Sequence, residues 1–244
     1  MNNTEDLLNT AENKQKAGKY GEALELYITV AKKLEEANNL ERCSQAYAKA
    51  GLLLESAQKN SEASKYLLKT VTILQDLKRE DESVALYLSH LGFNYFILEK
   101  FEKAAESYMR SAKIYEKNKL FRNAVESYWR AGFSYKQQTD YRQAESCYKK
   151  SLKLSEESGD KYQQAIVLGL LGILYGDAMN RYEEAASQYL KSGEIFKELG
   201  DLNEARDKYI WACQSYLNAG KVEKAEKLMA SINKFFPENN QYYI

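Results

Sequence analysis

Apolar side chains recur along this chain at helical rather than strand spacing, and one short pattern returns six times. In its commonest form an aromatic or aliphatic residue is followed three positions later by alanine. Examples are Tyr20 with Ala23, Phe101 with Ala104, Tyr141 with Ala144, Tyr182 with Ala185 and Val222 with Ala225. With Ala63 added, the six alanines are separated by 40, 41, 40, 41 and 40 residues. A fixed period of this size identifies a repeat architecture.

Two further positions keep the same phase. Four residues after each alanine stands a large side chain, Tyr27, Leu67, Tyr108, Tyr148, Tyr189 or Met229, one helical turn along the same face. Twelve or thirteen residues before each alanine stands a small one, Ala11, Gly51, Gly92, Gly132, Gly172 or Cys213, which lets two helices approach closely. Three residues beyond the small position come Leu54, Tyr95, Tyr135, Tyr175 and Tyr216, while Lys14 departs from the pattern as a terminal repeat does. Each unit therefore reads as a helical hairpin, with the small residue on its first helix and the alanine on its second.

Gly18, Lys59, Glu99, Thr139, Asn180 and Gly220 mark the turns within hairpins, and Asn38, Asp81, Asn118, Gly159 and Gly200 those between them. The expected helices span 3–17, 20–36, 40–57, 61–77, 81–98, 101–117, 120–137, 141–157, 160–178, 181–198, 201–219 and 221–235. The predicted fold is all-α, a single right-handed α-solenoid over 1–244. Its six antiparallel hairpins fall at 3–36, 40–77, 81–117, 120–157, 160–198 and 201–235, with a tail at 236–244. No Pro, Gly or Ser tract interrupts the series, and stacked hairpins bury faces that none could bury alone.

Composition narrows the function classes. Lys plus Arg and Asp plus Glu are equal at 35 each, so no net field draws the chain to nucleic acid or to an anionic membrane. Cys43, Cys147 and Cys213 are an odd number and far apart, as expected of free thiols in a cytoplasmic protein. Met1 to Thr10 is polar and acidic and lacks the pattern of a signal peptide, and no apolar run is long enough for a stable membrane span.

The order of small residue, tyrosine, alanine and aromatic resembles the tetratricopeptide repeat, over nearly the whole chain. The ordinary period of that family is about 34 residues, so a period of 40 or 41 adds about one and a half helical turns per hairpin. Long repeats of this kind are similar to those of the soluble NSF attachment proteins. The units around Ala104, Ala105, Glu106, Ser107, Tyr108, Ile114 and Tyr115, and the run Lys234, Phe235, Phe236, Pro237, carry that resemblance. It implies an adaptor linking SNARE-type helical bundles to an AAA ATPase. The stretch Leu199 to Ala205 reads equally well as part of the long repeats of cell-polarity adaptors or bacterial regulators. The turn at Lys16 to Tyr20 is minimal, so the membrane-touching loop of the attachment proteins is not expected there. Nor is their acidic C-terminal tail expected in a sequence that ends at Ile244.

No catalytic set converges. The lone histidine, His90, has no cysteine or carboxylate neighbour in sequence at ligand spacing, and no glycine-rich phosphate loop precedes a Lys-Ser or Lys-Thr pair. Neither a catalytic centre, a cofactor site nor a metal site is therefore expected. Adjacent acids such as Glu183 and Glu184 fit a solvated helix face, and Cys213 occupies a packing slot.

The tetratricopeptide resemblance places partner-binding positions one, four and five residues after the small residue and three before it, on first helices that line a concave face. In the third and fourth hairpins these include Phe93, Phe96 and Ile97, then Trp129, Phe133 and Lys136, an aromatic stripe suited to a helical segment of a protein partner. The same side chains could instead be buried between hairpins. The corresponding positions of the fifth hairpin, Gly176 and Asp177, are smaller or polar. Leu24, Leu26 and Ile28 in the first hairpin offer a route to a homodimer. The expected function is a non-enzymatic adaptor or scaffold. The alternative is a regulatory sensor that binds a peptide or small ligand in its groove.

Overall fold

A computed structural model describes residues 2–235, with side chains from Thr4 onward, so Phe236, Pro237 and the expected tail lie outside the described residues. Two compact units divide the chain, Met1–Leu120 and Phe121–Ile244. The first holds helices α1 (Asn2–Lys16), α2 (Tyr20–Glu36), α3 (Leu40–Ser56), α4 (Asn60–Asp76), α5 (Glu82–Ile97) and α6 (Phe101–Lys117). The second holds α7 (Phe121–Gln137), α8 (Tyr141–Ser158), α9 (Lys161–Ile173), α10 (Tyr182–Glu198), α11 (Leu202–Asn218) and α12 (Val222–Phe235). No strand occurs among the described residues. Within each unit every helix packs against the next in sequence, the pairing of an all-α, tetratricopeptide-like solenoid.

Each helix forms because its apolar residues fall on one stripe. In α2 the buried set is Ala23, Tyr27, Val30, Ala31 and Leu34, and in α6 it includes Ala104, Ala105, Tyr108, Ala112 and Tyr115. Burial of such a face supplies most of a helix's stability, at about 1.5–3 kcal/mol for each large side chain removed from water. Leu24, Leu26 and Ile28 are half-buried against the cluster of Ala11, Ala23, Tyr27, Ala50 and Leu53, so much of their surface is used within the first unit.

The small and large positions of the repeat meet one another. A Cβ added to Gly51 would lie 2.8 Å from Leu67, to Gly92 2.9 Å from Tyr108, to Gly132 2.8 Å from Tyr148 and to Gly172 2.5 Å from Tyr189. In these four hairpins the glycine of the first helix is therefore the seat of the large residue on the second. A second element ties the same helices together through buried hydroxyls. Thr70 donates to the Ser44 carbonyl at 3.3 Å, Ser111 to Ala85 at 2.7 Å, Ser151 to Val125 at 2.8 Å and Ser192 to Ala165 at 2.7 Å.

Helices stop at residues in the left-handed backbone region: Gly18, Asn38, Gln58, Lys78, Glu99, Lys119, Thr139, Gly159, Asn180, Gly200 and Gly220. Successive ones are 20 residues apart except for two steps of 21. At the first inter-hairpin turn Asn39 N–H donates to the Leu34 carbonyl at 2.8 Å and Asn38 N–H to Glu35 at 3.0 Å, which satisfies carbonyls that the helix leaves open. Four helices then start on an aspartate whose carboxylate accepts from backbone N–H groups: Asp81, Asp140, Asp160 and Asp201.

The expected helix limits agree with the observed ones to within one residue, except at the end of α9. There the helix passes into a π turn, Leu174–Ala178, and the closing bond runs from Arg181 N–H to the Tyr175 carbonyl at 2.7 Å, one residue longer than at other turns. The two 41-residue spacings thus have different origins. One extra residue lies in the longer link Arg79–Asp81 ahead of α5, the other inside the π turn.

Candidate partner-binding surface

Phe93, Phe96 and Ile97 all lie on α5, the first helix of the third hairpin. Phe93 and Ile97, one turn apart, are 38% and 49% exposed, so they form an open apolar pair. Phe96 turns away and packs edge-on against Phe101 at 5.3 Å between ring centres, which makes it part of the hairpin's own packing. Beside this pair lies a polar link between first helices. His90 Nδ1 is 2.8 Å from Glu55 Oε1, and the Asn94 amide donates to Glu55 Oε2 and to the His90 carbonyl. His90 therefore does have a carboxylate neighbour, supplied across space by α3. The link ties α5 to α3.

Trp129, Phe133 and Lys136 lie on α7, and all three are half-buried. The Arg130 guanidinium stands 4.8 Å from the Trp129 ring and is held by Glu126 at 2.7 Å, while the Lys136 ammonium is 5.9 Å from the Phe133 ring. Trp129 Nε1 is buried without a hydrogen-bond partner. Phe93 and Ile97 thus offer free apolar surface, whereas Trp129 and Phe133 are largely committed to α7 and its neighbours. The two sets belong to different compact units.

A concave site that the sequence reading passed over lies in the fifth and sixth hairpins. A cleft of about 280 Å³ is lined by Ile173, Gly176, Asp177, Tyr182, Tyr189, Trp211, Gln214, Ser215 and Asn218. Ile173, Gly176 and Asp177 stand one, four and five residues after Gly172, and Gln214 and Asn218 one and five after Cys213. These are the positions at which the repeat pattern predicts partner contact. The signal available in the sequence was Gly176 itself. It lines the cleft, and a Cβ added there would come into contact with the Ala185 Cβ at 3.4 Å. Trp211 is 41% exposed and meets Tyr189 edge-on at 5.5 Å. Lys208 lies over the Trp211 ring at 4.1 Å, its charge answered by Glu204 at 2.8 Å.

Electrostatics elsewhere are structural. Glu145 on α8 accepts from Tyr175 at 2.9 Å, Lys149 at 2.7 Å and Arg181 at 3.2 Å. Burial alone would push this carboxyl up, but those donors outweigh it and hold it below the ordinary carboxylate value. Burial pushes the Cys147 thiol up to about 12 and those of Cys43 and Cys213 to about 11. Among the described residues no cluster of three or more His, Cys, Asp or Glu is placed to hold a metal, and no helix is long and apolar enough to cross a membrane.

Comparison with known proteins agrees with this architecture. BtubC (BKLC) from P. vanneervenii is 19% identical with a TM-score of 0.63, over 99% of this chain and 94% of that one. The nearly identical TPR-like repeats of a putative kinesin light chain from Podosopora anserina are 13% identical with a TM-score of 0.52, over 97% and 96%. A Rap protein complexed with competence and sporulation factor is 14% identical with a TM-score of 0.53, over 96% and 76%. At such identities the likeness establishes the fold alone. A comparison with curated proteins found no match. A family model described as soluble NSF attachment protein, SNAP, matches residues 4–168, two thirds of the chain. The chain belongs to the soluble NSF attachment protein family.

Proposed function

We propose that this chain is a non-enzymatic cytoplasmic adaptor whose six hairpins act as one module. First-helix surfaces receive helical segments of protein partners, in the sharper form a SNARE-type bundle presented to an AAA ATPase. The observation that carries the reading is the open pair Phe93 and Ile97, two large apolar side chains exposed on one face of α5 at partner-contact positions of the repeat. Family membership supplies the chemistry of the partner, since an amphipathic helix places apolar residues at the spacing this pair can meet. Nucleic acid is an unsuitable partner for a chain of zero formal net charge.

The test is binding of a purified four-helix SNARE bundle, followed by recruitment of the ATPase, with wild type and a Phe93→Ser, Ile97→Ser variant. The reading expects bundle binding that the variant weakens by about tenfold or more at unchanged melting temperature. Absence of bundle binding by the wild type sinks the sharper form, and a variant that binds equally well moves the contact away from α5.

A second reading, a regulator that takes a peptide in its groove, is favoured by the cleft between α9, α10 and α11. The similar Rap structure is of a protein complexed with competence and sporulation factor, which gives this reading a precedent on the same fold.

A further inference from the structure

The cleft of the fifth and sixth hairpins has a definite chemical character. Its one charged lining residue is Asp177, an exposed carboxylate carried by the π turn. Around it stand three aromatic rings, Tyr182, Tyr189 and Trp211. Aromatic faces and a carboxylate share a preference, because ring quadrupoles and negative charge both attract cations and neither favours an anion. Lys208 lies over Trp211 but is held by Glu204 and is not among the lining residues, so the lining itself supplies no cation to Asp177. At about 280 Å³ the space is at the lower limit for a whole small-molecule ligand, around 300 Å³, and suits one long side chain.

Backbone geometry explains why such a space exists here. The surplus residue of this hairpin is absorbed as a π turn, an irregularity that recurs at binding sites. The turn carries two of the lining residues, Gly176, close against Ala185, and Asp177, exposed beside it. The geometry points to this cleft as the receptor for a cationic side chain, lysine or arginine, of a partner polypeptide. The inference rests on the reading of first-helix surfaces as partner-binding surfaces and adds a charge requirement to them.

The test uses blocked single amino acids with the full chain. N-acetyl-lysine methylamide, N-acetyl-arginine methylamide, the neutral N-acetyl-norleucine methylamide and the anionic N-acetyl-glutamate methylamide are titrated while the two indole N–H signals are followed by NMR, with Trp211 assigned from a Trp211→Phe variant. The expected result is a saturable shift of the Trp211 signal with lysine or arginine, the tighter of the two identifying the cation. Trp129 stays unmoved, and norleucine and glutamate bind several-fold more weakly. Asp177→Asn, an isosteric change at an exposed position, should reduce the cation affinity about fivefold or more without lowering the melting temperature. Equal binding of norleucine and lysine, or an Asp177→Asn variant that binds the cations as before, overturns the inference. Because the probes need no partner protein, loss of this titration with intact bundle binding removes the cleft alone. A retained titration without bundle binding removes only the SNARE-bundle form of the adaptor reading.

Discussion

Gly132 on α7 and Tyr148 on α8 are in such close register that a Cβ on the glycine would lie 2.8 Å from the tyrosine ring and 3.2 Å from the Ala144 carbonyl. Two effects of opposite sign meet in Gly132→Ala. Helix propensity favours alanine by about 1 kcal/mol, while overpacking against a buried ring and a backbone atom costs about 1–3 kcal/mol. The clash should win, and denaturant unfolding should show a net loss of stability. A more stable alanine variant would mean that the glycine is not the seat of Tyr148.

Thr139 holds a φ of 60° at the turn between α7 and α8, a conformation that a β-branched residue adopts with strain. Replacement by asparagine, which tolerates this region without the unfolded-state entropy of glycine, should raise stability by about 0.5–1 kcal/mol. A thermal melt of Thr139→Asn at or below the wild-type midpoint would contradict the account of that turn.

Glu145 links α8 to Tyr175 and Arg181, with its carboxyl held below its ordinary value of 4.5. A carboxyl lowered on folding stabilises above the unfolded value, and the contribution disappears as pH falls through the folded one. Glu145→Gln should therefore lower stability near neutrality by about 1–2 kcal/mol, a loss typical of hydrogen bonds to a charged group. The gap to wild type should close in acid, below 4.5. Melting temperatures of both proteins across pH 3 to 7, roughly the span over which a carboxylate titrates, decide this, and a gap that widens in acid contradicts it.

Cys43, Cys147 and Cys213 are buried, with thiols displaced upward by desolvation. Thiolate is the reactive form. A thiol-specific reagent at about pH 8 should therefore label the folded protein slowly and all three sites at once after unfolding in guanidinium. Rapid labelling of Cys213 in the folded state would assign it chemistry beyond packing.

The repeat was legible because its determinants are single side chains at fixed spacing: Ala104 and Tyr108 on one face, Gly92 opposite them. The turns were legible as breaks between helices, Glu99 among them, but their left-handed conformation was not, since residue types such as Gln58, Lys78 and Lys119 do not advertise it. The serine and threonine hydroxyls at Thr70, Ser111, Ser151 and Ser192 repeat as regularly, yet hydroxyl residues on helices usually read as surface. Aromatic content drew attention to Trp129, which is half-buried, and away from Trp211, which flanks a cleft that Gly176 and Asp177 also line. Periodicity reports what fills space, and a site made by leaving space empty is visible only once the helices are set side by side.

The two 41-residue spacings are alike in sequence and unlike in structure, one accommodated in the link before α5 and the other within the helix after Ile173. A relative of this chain can be sorted by that distinction alone. Where an alanine-to-alanine interval gains a residue and the adjoining turn is also longer, the surplus has been vented into solvent. Where the turn keeps its length, the helix itself must have swollen, and the cleft beside that swelling is the first place to look for a ligand.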